Sequence, residues 1–306
     1  MKIAVITPVR HLNEVEQNLN QIGSVFYLEN GKKHEVRKLL IDENIDVIVC
    51  NPNKQDFIID RDLLEDTSVR IVNTCSTGLN HIDVAYCDEN GILIQSLTKD
   101  YDLINDLPST AELAFGLLMS VVRKIPSSHI DVFQNKSWDY TNYIGRQIQG
   151  LTIGIVGYGR LGKFMEKYCK AFNAEVLIYD PYKPSISLGS LKELFSKCDI
   201  VSLHVHVSKE TRHMINMDLF PCRVKFLINT SRGEIVDEQD IAELLQSGNL
   251  HGYGTDVLEN EFETPVASPL LLLDPSRYNV VITPHTGGMT IEGQTRAFNY
   301  SINKLK

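Results

Sequence analysis

Short apolar runs alternate along the chain with longer stretches whose apolar positions recur at helical spacing. This is the pattern of repeated strand–helix–strand units that feed parallel sheets. The first series of runs lies at residues 2–6, 24–27, 46–50, 69–73 and 91–95, with polar-faced helical stretches such as 33–41 between the first three. The second series is cleaner and falls at residues 152–156, 175–179, 199–203, 225–229, 251–255 and 279–283. Six regularly spaced strands are what a complete doubly wound dinucleotide-binding sheet requires.

Between the two series, residues 109–124 read as a long helix that is apolar nearly all round and therefore buried between layers. Its opening Ser109-Thr110-Ala111-Glu112, after Pro108, reads as an N-cap followed three residues later by an acid. A last helix at about 291–303 follows Gly287-Gly288 and can return to the first domain. The expected architecture is thus α/β, with two doubly wound parallel-sheet domains. A Rossmann domain at 105–286 is inserted in a flavodoxin-like domain at 1–104 plus 287–306.

Composition narrows the classes. A length of 306 residues suits two domains, and near-average hydrophobic and charged fractions of 43% and 23% exclude disordered and fibrous readings. The formal net charge of −9 argues against a general affinity for nucleic acid or anionic membrane, and no apolar run is long enough to span a bilayer. The N-terminus lacks a secretory apolar region, and the six cysteines are scattered without a Cys-x-x-Cys pair. The expectation is a cytoplasmic protein with buried free thiols and no metal.

Candidate chemistry begins at Gly157-Tyr158-Gly159-Arg160-Leu161-Gly162, which follows a strand and opens a helix. In that context Gly157 permits the turn, Gly159 lets a pyrophosphate approach the backbone, and Gly162 lets helix and strand pack closely. Asp180 ends the next strand, where an acid accepts hydrogen bonds from ribose hydroxyls and repels a 2′-phosphate, favouring NAD over NADP. Three later strands, neighbours in the usual order, end at Arg232, at an acidic run containing Asp256, Glu259 and Glu261, and at His285. Hydride chemistry at a carbon bearing oxygen uses such a set. The His exchanges a proton, a carboxylate orients it, and an Arg clamps a substrate carboxylate. A short-chain sugar dehydrogenase would need a Tyr-x-x-x-Lys pair on a helix beside the loop. Neither Tyr179/Lys183 nor Tyr300/Lys304 is so placed.

These motifs resemble the D-isomer-specific 2-hydroxyacid dehydrogenases over nearly the whole chain. The landmarks are 157–162 with Asp180, the Val201-Ser202-Leu203-His204 strand leading to Glu210-Thr211, then 228–233, 256–261, 283–288, and the first-domain loop Ser76-Thr77-Gly78-Leu79-Asn80-His81-Ile82-Asp83. The resemblance implies that His285 is the general acid/base, paired with Glu261 in preference to Glu259, and that Arg232 binds the substrate. It also implies that Thr77 and Gly78 hold the substrate carboxylate through backbone amides in a cleft that closes between the domains. Thr110, His204, Thr211, Thr230, Asp256 and Gly287 join the NAD contacts. The implied activity is NAD-dependent interconversion of a D-2-hydroxy acid and a 2-oxo acid. Trp138 falls where the family builds a homodimer contact. Departures from the family pattern are His206 in place of a usual proline, Asn80 in place of a frequent aspartate, and a longer 97–107 stretch. The turn at 51–53 is read as an ordinary one. The alternative from another class is an NAD(H)-responsive, corepressor-like binding protein with vestigial catalysis.

Overall fold

The computed structural model describes residues 1–52, 57–220, 222–261, 263 and 265–306, so Asn53 of the 51–53 turn lies outside the described residues. The chain divides into two compact units, Met1–Leu107 with Met289–Lys306, and Pro108–Gly288.

The first unit is built on five parallel strands, β1 (Lys2–Val5), β2 (Ser24–Tyr27), β3 (Val47–Cys50), β4 (Ile71–Thr74) and β5 (Leu93–Gln95), in the order β2-β1-β3-β4-β5. That is the flavodoxin-like order, with the switch point between β1 and β3. The strands alternate in the two-residue rhythm of a sheet covered on both faces. Ala4, Ile48, Cys50 and Val72 enter one apolar layer, while Ile3, Val5, Val47 and Val49 enter the other. Helix α1 (Asn13–Ile22) and the last helix, Ile291–Asn303, cover the second face through Val15, Leu19, Phe298 and Ile302. A buried polar pair fixes the last helix there: Asn73 Nδ2 donates to the Ser301 carbonyl at 3.0 Å, and Ser301 Oγ donates to Asn73 Oδ1 at 2.9 Å. The 97–107 stretch contains a short helix, Tyr101–Ile104, and Lys304 ties it down by donating to the Ser96 carbonyl at 2.7 Å and to the Asp100 carboxylate.

The second unit holds six parallel strands, β6 (Thr152–Val156), β7 (Glu175–Tyr179), β8 (Ile200–Leu203), β9 (Phe226–Asn229), β10 (Gly252–Thr255) and β11 (Val280–Ile282), ordered β11-β10-β9-β8-β6-β7. The three strands ending near Arg232, Asp256 and His285 are adjacent, as their sequence order implies. The sheet departs from the full six-strand dinucleotide order in its first half, which supplies two strands beyond the switch point rather than three. One hydrogen bond, Leu188 N–H to the Ile178 carbonyl at 2.8 Å, marks where a further strand would pair. Alternation again sorts the two layers. Ile153, Ile155, Phe226 and Ile228 pack under α6 (Ser109–Val122) and α8 (Arg160–Ala171), and Val156, Val201, Leu227 and Tyr253 pack on the other side.

One capping expectation fails. Ser109 is the first helical residue of α6 rather than its cap, and no side chain caps the helix. The Pro108 carbonyl accepts from the N–H groups of Ala111 and Glu112, at 2.8 and 3.0 Å, because the fixed φ of proline already suits the helix entry.

Candidate active site

The glycine loop joins β6 to α8. Gly157 has φ +89°, and a β-carbon there would stand 2.5 Å from the His204 carbonyl oxygen, so both conformation and space demand glycine. Gly159 differs, since a β-carbon would meet no protein atom within 4 Å, and packing inside the chain does not account for it. Arg160, Leu161 and the buried Gly162 form the first turn of α8, which carries no acid to neutralise the partial positive charge of its amides. Asp180, just past β7, is buried and clasped by that loop. Its Oδ2 accepts from Tyr158 N–H at 2.9 Å and its Oδ1 from Tyr182 N–H at 3.0 Å. A carboxylate has about four acceptor sites, so these two bonds do not exhaust it.

At the ends of β8 and β9 two buried polar atoms, His204 Nδ1 and Thr230 Oγ1, have no hydrogen-bond partner among the described residues. His204 Nε2 lies 2.9 Å from Ser202 Oγ, and desolvation lowers its pKa to about 4, so the ring is neutral at pH 7. Thr211 spends its hydroxyl within its own loop, donating to the His206 carbonyl at 2.6 Å and accepting from Ser208 N–H at 2.7 Å. An open glycine, an unneutralised helix start and orphaned buried polar atoms along one edge of the sheet suit a dinucleotide.

Asp256, buried beyond β10, organises the far side. It accepts from Thr286 N–H at 2.8 Å, Gly287 N–H at 2.7 Å and the Thr283 hydroxyl. Thr110, in the first turn of α6, stands beside the same glycine, its Cγ2 3.0 Å from where a Gly287 β-carbon would lie. The Asp256 clasp sets the backbone around His285, whose φ of +53° is unusual for a residue other than glycine. The imidazole is thereby presented to Glu261, with Nδ1 2.8 Å from Oε1. The second oxygen of Glu261 accepts from Leu258 N–H at 3.3 Å. Glu259, two residues earlier, belongs to a different group: it pairs with Arg212 and lies 3.0 Å from His213 Nε2. Arg232, past the end of β9, folds its Nη1 against the Ser231 carbonyl at 2.7 Å.

A family model described as "D-isomer specific 2-hydroxyacid dehydrogenase, NAD binding domain" matches residues 115–287. The chain belongs to this family. Its second unit is the family's Rossmann NAD-binding domain, and its first is the flavodoxin-like companion. Over 286 residues it is 32% identical to the hydroxypyruvate reductase of Thermotoga maritima, covering 90% of this chain and 88% of that protein. It is 29% identical to the D-3-phosphoglycerate dehydrogenase of Methanocaldococcus jannaschii across 100% of this chain, but spans only 57% of that protein. The crystal structure of D-lactate dehydrogenase from Aquifex aeolicus, complexed with NAD and lactic acid, superposes with a TM-score of 0.75 at 26% identity, covering 99% of this chain and 94% of that one.

Within this dehydrogenase fold the first unit presents its own candidate loop, at Ser76–Gly78 past β4. Ser76 Oγ donates to the Gly78 carbonyl at 2.8 Å and meets Thr74 Oγ1 at 2.9 Å, and Thr98 Oγ1 donates to the Thr77 carbonyl at 3.1 Å. Beneath it the buried His81 holds Thr74 Oγ1 at 2.9 Å through Nε2. Burial lowers the pKa of His81 to about 4. His81 lies within the first-domain motif but was given no role there, while His213, Arg212 and Glu238 were not signalled by the sequence motifs, since their partners lie far away in the chain and no spacing rule connects them. All six cysteines are free thiols, five of them buried. Among the described residues no cluster suits a metal ion, and no helix is long and apolar enough to cross a membrane.

Proposed function

We propose that the chain is an NAD-dependent dehydrogenase that interconverts a 2-oxo acid and its D-2-hydroxy acid. The observation that carries the proposal is the 2.8 Å Glu261–His285 contact at a strand end adjacent to that of Arg232, within an NAD-binding domain. Bound NAD supplies or takes up the hydride. In this reading Gly157, Gly159, Arg160, Leu161 and Gly162 hold its pyrophosphate, and Asp180 its adenosine ribose. Thr110, His204, Thr211, Thr230, Asp256 and Gly287 complete its site.

Glu261 fixes the tautomer of His285 by accepting from Nδ1. Proton exchange with the substrate oxygen then falls to Nε2, and Glu261 stabilises the imidazolium that precedes donation. Arg232 binds the substrate and polarises its carbonyl, and in the first unit the amides of Thr77 and Gly78 are assigned to a substrate carboxylate. The named relatives act on hydroxypyruvate, phosphoglycerate and lactate, which supports a small 2-oxo acid as substrate. The exposed Ile125, Phe133, Trp138, Tyr140 and Ile144 support a homodimer, and the free thiols support a cytoplasmic location. Sedimentation of the wild type against Trp138→Ala tests the dimer.

The deciding experiment follows NADH oxidation with a panel of 2-oxo acids running from glyoxylate and pyruvate to hydroxypyruvate and bulkier acids. Turnover that collapses in His285→Ala, with NADH affinity retained, supports the reading. NADH binding without turnover across the panel overturns it in favour of an NAD(H)-responsive binding protein.

A further inference from the structure

Glu238 is a buried carboxylate, 5% exposed, at the first position of α10 (Glu238–Ser247), away from the residues assigned above to cofactor or substrate. Burying a carboxylate is unfavourable unless its oxygens are used. Here both are used. Oε1 accepts from Glu259 N–H at 2.9 Å, and Oε2 from Ser268 Oγ at 2.6 Å. Desolvation, with Glu259 and Glu234 as the charged neighbours, raises its pKa.

The peptide it holds is pinned from the opposite side too. A β-carbon at Gly233 would lie 2.0 Å from the Glu259 nitrogen and 2.1 Å from the Leu258 carbonyl carbon, so the backbone after Arg232 is in direct contact with the backbone before Glu261. From there the contacts run without a gap. Glu238 holds Glu259 N–H, the neighbouring Leu258 N–H holds Glu261 Oε2, and Glu261 Oε1 holds His285 Nδ1. The Glu259 side chain, paired with Arg212 and His213, tethers the same turn from outside.

We infer that Glu238 is a positioning residue for the reaction: by holding the 258–259 peptide against Gly233, it sets where Glu261 meets His285 relative to Arg232. The inference rests on the dehydrogenase reading for its consequence in turnover, and on geometry alone for the placement of Glu261. What matters in it is the reach of the side chain rather than its charge. Gln at this position keeps a carbonyl oxygen for Glu259 N–H and offers Ser268 Oγ a donor. Asp keeps the charge but withdraws it by about 1.5 Å, the length of one carbon–carbon bond.

The test measures kcat, KM, NADH affinity and the pH profile of kcat for Glu238→Gln, Glu238→Asp and Glu238→Ala. In parallel, the His285 imidazole titration is followed by NMR without substrate. Displacing a catalytic group by about 1 Å can reduce turnover on the order of 100-fold. Glu238→Ala is expected to lose about that much in kcat with NADH affinity within about twofold, and the His285 imidazole signals followed by NMR to depart from those of the wild type. Glu238→Gln should stay close to wild type in both readouts, with Asp in between. A wild-type kcat profile and His285 titration in Glu238→Asp and Glu238→Ala would overturn the inference, and so would loss in Gln with retention in Asp. If Glu238→Ala does not fold, the Gln and Asp variants decide the matter. If the wild type turns over no 2-oxo acid, the enzyme reading falls, while the NMR titration still decides the role of Glu238.

Discussion

Replacing Gly233 by alanine is the sharpest perturbation the fold offers. The added carbon would lie 2.0 Å from the Glu259 nitrogen, 2.1 Å from the Leu258 carbonyl carbon and 2.6 Å from the Glu259 Cα. Non-bonded heavy atoms settle at about 3.5 Å, so the two backbones must separate by more than about 1 Å. The neighbouring atoms are peptide groups with no rotamer to escape into. The separation stretches the 2.9 Å bond from Glu259 N–H to Glu238 beyond useful length. Losing a hydrogen bond to a carboxylate costs about 1.5–3 kcal/mol, and overpacking about 1–3 kcal/mol more. The sum, roughly 3–6 kcal/mol, lowers Tm by on the order of 10 °C in a domain of this size. The same shift moves Glu261 against His285, and kcat should fall on the order of 100-fold with NADH affinity little changed. Calorimetry, NADH titration and steady-state kinetics on the purified variant measure all three. A Gly233→Ala protein with wild-type Tm and kcat would refute the claim that this contact is unyielding.

Three further outcomes are expected. Glu261→Gln removes the charge beside His285 but not its shape, and should reduce kcat by about 100-fold or more with little change in NADH affinity; an unchanged kcat would remove Glu261 from the mechanism. Asp180→Ala should weaken NADH at least about tenfold and narrow the preference over NADPH, read by fluorescence titration with both nucleotides. It should also lower Tm, because Tyr158 and Tyr182 lose their acceptor. His81 titrates near 4 in the folded state against about 6.5 unfolded. Between those values the unfolded chain binds the extra proton, so its contribution is intact above about pH 6.5 and is lost as pH falls toward 4. The difference of about 2.5 units corresponds to roughly 3 kcal/mol. Urea unfolding at several pH values should show a flatter profile in His81→Gln than in the wild type.

The sheets were the most legible part of the sequence. Runs such as Ile3-Ala4-Val5 and Ile153-Gly154-Ile155-Val156 are visible because strands of a parallel sheet buried on both faces read as near-continuous apolar stretches. The phosphate loop was legible for a related reason, since its residues are neighbours in sequence as well as in space. Harder to read was which acid serves which histidine. Glu259 and Glu261 are two residues apart in an irregular turn, and their separate allegiances to His213 and His285 depend on contacts arriving from residues 212–213 and 285. By its local sequence Glu238 is an ordinary first-turn helix acid. Its burial comes from Ser268 and the 258–259 turn folding over it, which no local periodicity encodes. Ser109 had the composition of a cap, but Pro108 had already taken the helix entry.

The interleaved order of the two units has a consequence for synthesis. The apolar face formed by Ile3, Val5, Val15 and Leu19 is completed by Phe298 and Ile302, and Asn73, which also donates to Gln95 Oε1 at 2.9 Å, gains its bonds to Ser301 only then. During translation the whole of Pro108–Gly288 intervenes. At about 5–20 residues per second the nascent first unit waits on the order of tens of seconds with that face uncovered. The second unit, contiguous in sequence, can finish first. A nascent chain is therefore most vulnerable to chaperone capture and proteolysis in this first unit. That exposure ends when residues 298–302 emerge and close the face.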